Sequence, residues 1–170
     1  MKTNLSSLMN MQAKYQEEYD EAAKNVLIYS RNIKTRELDG TETMLYDCKD
    51  DFNDNFEKLK KLEKVTSKIR ATINKMNNEI KLSDNRTISE ALADNISLRI
   101  MQDTYKSLLE TKASNKRVTE VNNSYFEIKE LNFDSKNLKD LYNEVTKKIL
   151  DTDFEISKAN SIEFDVDIDL

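Results

Sequence analysis

The chain has 170 residues, no proline and a single glycine, Gly40. Tight sheet hairpins need residues that preset φ or tolerate positive φ. Long helices need neither, and both residues are costly inside them. The expected fold is therefore mainly α: long antiparallel helices in a four-helix, coiled-coil-like arrangement, with a small β-hairpin insert and a C-terminal strand. Histidine and tryptophan are also absent. That excludes a His-based triad, an imidazole metal ligand and a histidine pH switch. The inventory favours assembly or binding over catalysis.

Charged residues make up 35% of the chain and hydrophobic ones 38%, a balance that suits amphipathic helices with wide solvated faces rather than a thick core. Such helices bury their remaining apolar surface against copies of themselves, so a homo-oligomer is expected. The net charge of −5 is uneven: residues 1–85 hold 15 basic and 15 acidic side chains, residues 86–170 hold 12 and 17. Without a basic excess, no duplex nucleic acid partner is expected. Cys48 has no partner for an internal disulfide, which suits a reducing bacterial cytosol. The start Met1-Lys2-Thr3-Asn4 leads into no signal-type apolar run, and no segment suits a bilayer, so no membrane partner is expected.

One helical domain over 1–170 is expected, with no internal repeat. Helix one, about 5–34, follows Leu5, Leu8, Gln12, Tyr15, Tyr19, Ala23, Val26 and Ile33. Asp39-Gly40 marks a loop. Helix two, about 45–80, follows Phe52, Phe56, Leu59, Leu62, Ile69, Ile73, Met76 and Ile80. Helix three, about 88–114, opens on a capping box, Thr87-Ile88-Ser89-Glu90. Two short β segments around Asn122-Asn123 make the insert, about 117–133. Helix four, about 136–159, is capped by Ser135 and follows Leu138, Tyr142, Val145, Ile149, Thr152 and Ile156. The acidic tail, 161–170, alternates apolar and acidic residues: a docked strand or a frayed end.

Between residues 58 and 75 seven basic side chains face one acid, Glu63. Five of the lysines fall within roughly 100° of arc, as a solvated face or a phosphate-attracting strip. Arg70, Asn74 and Asn77 form an i, i+4, i+7 row of donors along one edge of the apolar stripe. On helix three Asn95, Arg99 and Gln102 fall inside the apolar arc. Burying a guanidinium costs several kcal/mol unless it is paired, so Arg99 meets an acid, reaches an aqueous pocket or grips a ligand. Tyr125 and Lys129 could add a ring and a charge. Cys48 lies among Asp47, Asp50 and Asp51, which disfavour a thiolate. No Gly-rich phosphate loop or Cys/His metal cluster is present, so no cofactor or metal is expected.

Four segments resemble the septicolysin-like bacterial proteins, a small helical family without settled function. Ile69-Arg70-Ala71-Thr72-Ile73-Asn74-Lys75-Met76-Asn77 is similar to the family's "IxxINxTN" stretch. Asp84-Asn85-Arg86-Thr87-Ile88-Ser89-Glu90-Ala91-Leu92-Ala93 resembles its "DGxTLTEALA" element. Ser124-Tyr125-Phe126-Glu127-Ile128-Lys129 is similar to "YSRSEIK", and Asp153 to Asn160 to "LDxxIQxxNW". Asn85 replaces a glycine of the pattern, Asp94-Asn95-Ile96 stands where it has "RRD", and Ser161 replaces its tryptophan. The resemblance implies a long helical hairpin with a small β insert, assembled as a homo-oligomer.

The expected function is non-enzymatic: a homo-oligomer holding a small anionic, nucleotide-derived ligand between subunits. Arg70, Asn74, Asn77, Arg86, Arg99, Tyr125 and Lys129 are the candidate ligand contacts. The Asn-, Lys- and Ile-rich composition suits an AT-rich bacterium or its phage, so a phage sponge for a host defence nucleotide is one concrete form. The alternatives are a helical scaffold or adaptor, in which Arg99 and the Asn row set register, and a carboxylate-metal hydrolase.

Overall fold

The computed structural model describes residues 2–121 and 123–167. The protein is mainly α, with four helices and three small antiparallel strand pairs among the described residues. It divides into two compact units, 1–79 with 160–170, and 80–159.

In the first unit β1 (Lys2–Thr3) leads into α1 (Leu5–Ile28), then the ribbon strands β2 (Ile33–Arg36) and β3 (Glu42–Tyr46), then α2 (Lys49–Glu79). Asn4 caps α1 by accepting from the Ser7 amide at 2.8 Å. Bonds from Asn25 to Asn55 and from Arg70 to Gln16 show that α1 and α2 run antiparallel. The buried rows keep three-and-four spacing: Leu5, Leu8 and Ala22 on α1, and Leu62, Thr66, Ile69 and Ile73 on α2.

Helix α1 stops at Ile28 instead of running to 34, because the Ser30 hydroxyl and amide both donate to the Leu27 carbonyl. Residues 33–46 form a hairpin, not a simple loop before a helix starting at 45. Gly40 supplies the positive φ (92°) its turn needs, and the Asp39 carboxylate accepts from the Thr41 amide. The tail does dock: β6 (Phe164–Asp165) pairs antiparallel with β1, not with the hairpin insert. Residues 168–170 of the expected strand lie outside the described residues.

The second unit repeats the order helix, ribbon, helix, although the sequence shows no repeat: α3 (Ile88–Glu110), β4 (Ser114–Thr119), β5 (Ser124–Lys129) and α4 (Ser135–Asn160). Helix α3 ends at Glu110, four residues before its expected limit, and β4 starts at Ser114, three residues before the expected insert. Polar side chains tie α3 to α4: Gln102 donates to Thr146 at 2.7 Å and Asn95 to Asp153 at 2.7 Å. Helix α4 buries Leu138, Val145, Ile149, Thr152, Ile156 and Ala159. Its cap is Asp134 rather than Ser135, since the Asp134 carboxylate accepts from the Lys136 and Asn137 amides.

The start of α3 is fixed twice. Thr87 and Glu90 form the reciprocal capping box. Just before it, Asn85 holds a left-handed φ of 69°, a conformation asparagine tolerates better than most residues. The Thr87 amide and hydroxyl hold the Glu90 carboxyl below its ordinary 4.5. Arg86, through its side chain first and its amide second, holds Asp84 below 3.8. A carboxyl whose folded-state value is depressed stabilises the fold above its unfolded value, and that contribution is lost as pH falls through the folded value. The urea midpoint of the protein should therefore drop between about pH 5 and pH 3, and Glu90→Gln should flatten part of that drop. An unchanged pH profile in Glu90→Gln would show that the box contributes nothing to acid sensitivity.

Candidate functional site

The basic stretch of α2 borders a groove against α1. Successive turns of α1 present Gln16 and Tyr19, and α2 presents Glu63, Thr66, Ser67 and Arg70 at i, i+3, i+4 and i+7. These six side chains line a depression of about 250 Å³. A second of about 280 Å³, lined by Tyr19, Leu59, Lys60, Glu63 and Lys64, shares Tyr19 and Glu63 with it. Along this α1–α2 groove Tyr19 and Glu63 stand where the two depressions meet, with Leu59 in one and Arg70 in the other.

Two observations mark this groove. The Arg70 guanidinium donates to Gln16 Oε1 at 2.6 Å, yet has no ion pair among the described residues. The Glu63 carboxylate lines the same depression without pairing with it. Thr66 is only 4% exposed, and its Oγ1 is buried without a partner. The hydroxyls of Thr72, Thr104, Thr111 and Thr146 each donate to the carbonyl four residues back, so the bare Thr66 hydroxyl departs from the habit of these helices. A buried hydroxyl left unpaired costs about 1–3 kcal/mol.

The other predicted contacts fall elsewhere. Asn74, in the same unit, is exposed, and its carbonyl accepts from Asn78. Asn77 is half-buried with an unpartnered Oδ1, but it does not line the groove. Arg86, Arg99, Tyr125 and Lys129 belong to the second unit. Arg86 is saturated: its guanidinium pairs with Asp84 at 2.7 Å and Asp94 at 2.6 Å, and reaches Thr152 at 3.5 Å. Arg99 meets Asp153 at 2.7 Å. It is not sunk in an apolar arc, because its side chain is 54% exposed. Tyr125 donates to Glu120 at 3.5 Å, and Lys129 pairs with Glu127 at 3.1 Å. Among the described residues no three or more His, Cys, Asp or Glu side chains are grouped to hold a metal.

Gln16, Tyr19, Thr66 and Ser67 were not anticipated as site residues. The available signal was Thr66, a hydroxyl at a core position between Leu62 and Ile69.

A family model matches residues 47–164. The chain belongs to DUF6847, a family of unknown function. The DUF6847 match includes the α2 wall of the groove, while Gln16 and Tyr19 precede it. No curated protein matches the chain. A functionally unknown conserved protein from Corynebacterium diphtheriae, known from its crystal structure, shares the fold: its TM-score is 0.63 at 15% identity, over 97% of this chain and 100% of that one. No helix among the described residues is long and apolar enough to cross a membrane.

The Asp153 pairings give an asymmetric expectation. Arg99→Ala removes an exposed partner and should cost at most about 1 kcal/mol. Asp153→Ala also strips the acceptor from the Asn95 amide, which is 4% exposed, and should cost about 1–3 kcal/mol more. Urea denaturation of the two variants measures this, and equal losses would contradict the assignment.

Proposed function

We propose that this chain is a non-enzymatic, homo-oligomeric binding protein that holds a small anionic, nucleotide-derived ligand in the α1–α2 groove. The observation carrying this reading is the pairing, in one groove, of an arginine without an ion-pair partner and a buried hydroxyl without a hydrogen-bond partner. An anion with further polar atoms satisfies both at once. Tyr19 and Leu59 offer a face for a planar group, and Lys60 and Lys64 raise the local positive potential. Within this reading Arg86 and Arg99 leave the ligand set and become structural: two carboxylates hold the Arg86 guanidinium, and Asp153 holds Arg99. The buried rows continue as coiled-coil-like, four-helix packing in the assembled molecule. The likeness to septicolysin-like proteins, a cytosolic setting and a sequestering role toward a nucleotide signal belong to the same proposal.

The scaffold reading rests on a separate observation, the polar bridges between α3 and α4. Asn95, Gln102 and Arg99 each find one partner on α4, as register-setting residues would.

Equilibrium dialysis against ribonucleoside mono-, di- and triphosphates tests the ligand reading. Binding should weaken about 10- to 100-fold in Arg70→Ala, the range for loss of a charge-assisted hydrogen bond. Thr66→Val should also weaken binding while leaving the unliganded fold as stable or more stable, since it removes an unpaired buried hydroxyl. Parent protein that binds none of these compounds, or variants that bind them equally well, would sink the groove assignment.

A further inference from the structure

Along one side of α2 the α1–α2 groove presents Leu59, Glu63, Thr66 and Arg70, spaced four, three and four residues apart. Glu63 lines both depressions. Its carboxylate has no ion pair and no hydrogen bond among the described residues, although Lys60 and Lys64 are its neighbours on the helix. Lys60 is engaged elsewhere: it pairs with Glu57 at 2.8 Å and lies 4.5 Å over the Phe56 ring. Arg70 stands two turns beyond Glu63, about 10 Å along the axis at 1.5 Å per residue.

Size decides whether a ligand meets this carboxylate. Sites for small molecules measure about 300–1,000 Å³. The two depressions measure about 250 and 280 Å³, so neither reaches that range alone. A nucleotide-sized ligand therefore occupies both and passes Glu63 where they meet. A bare carboxylate at that point acts in two ways. It repels a phosphate, which leaves the Arg70 end for the anion. It only accepts hydrogen bonds, so it stabilises a ligand that donates to it. Between the base and the 5′-phosphate of a nucleotide lies the ribose, whose two neighbouring hydroxyls are donors. Carboxylates read the ribose 2′-hydroxyl in dinucleotide-binding folds by the same chemistry.

We infer that Glu63 is the specificity-determining residue of the groove: it accepts from the ribose hydroxyls of the ligand, with the base at Tyr19 and Leu59 and the phosphate at Thr66 and Arg70. This rests on the ligand reading above and narrows its class to ribonucleotides with free 2′- and 3′-hydroxyls. Thr66 and Arg70 supply affinity for the anion, and Glu63 selects the sugar.

Equilibrium dialysis of the parent and of Glu63→Ala against ribonucleoside mono-, di- and triphosphates and their 2′-deoxy counterparts tests this. Glu63 is exposed and alanine is the best helix former, so the variant keeps the fold. The parent should hold the ribose forms about 10- to 100-fold more tightly than the deoxy forms, the range for a hydrogen bond to a charged group. Glu63→Ala should lower ribonucleotide binding to the deoxy level. Its binding of the deoxy forms should stay as it is or tighten, because a like charge is gone. A parent that binds both forms alike overturns the role of Glu63 and leaves the groove reading standing. A variant that keeps the parent's preference, or that weakens both forms equally, does the same. A parent that binds none of the nucleotides overturns the groove reading and this inference with it.

Discussion

Each helix of this protein buries one row of side chains at three-and-four spacing, and most of the remaining structure follows from that limit. A row fills one seam and leaves the rest of the helix in water. On α3 the row Ile88, Ala91 and Asn95 is buried, while Ile96 and Ile100 stand exposed on another face. The strands of the ribbons that connect the helices are exposed at every position but Val118. Within such units, apolar surface is abundant outside the seams, and polar atoms inside a seam have few partners.

Those polar atoms separate the two units by role. In the second unit most are matched to one another: Asn95 and Arg99 share Asp153, Gln102 meets Thr146, and Arg86 is held by two carboxylates, while Asn95 Oδ1 alone of these stays without a partner. Such a network fixes how α3 meets α4. In the first unit the matching is incomplete. Arg70 keeps its charge without an ion pair, and Thr66 keeps a hydroxyl without a bond, in the same groove. Arg86 and Arg99 of the second unit pair with carboxylates, whereas Arg70 of the first bonds the Gln16 side-chain amide.

The helices were legible because burial follows the apolar period so closely: Leu138 to Ile156 on α4 and Leu62 to Ile73 on α2 are buried at the spacing the sequence shows. The start of α3 was legible because Thr87 and Glu90 carry the cap in four residues. The first ribbon was not. Ile33 continues the spacing of α1, so nothing in the apolar pattern announces the stop, which depends on backbone bonds around Leu27 and Ser30. The site was half legible. Arg70 stood out as a donor beside a seam, but which residues of α1 face it depends on how α1 and α2 align along their lengths, which no single helix reveals. The options for Arg99 stayed open in the sequence because a helical projection gives an angle and not a neighbour; the acid that holds it, Asp153, lies on α4.

The most direct test of a ligand-holding oligomer is native mass spectrometry of the protein purified from cells without added nucleotide. The account predicts a multiple of the 19.9 kDa chain, carrying an added mass of nucleotide size in whole-number ratio to subunits. A bare chain at 19.9 kDa, with no retained small molecule under conditions that keep the helices intact, would contradict it.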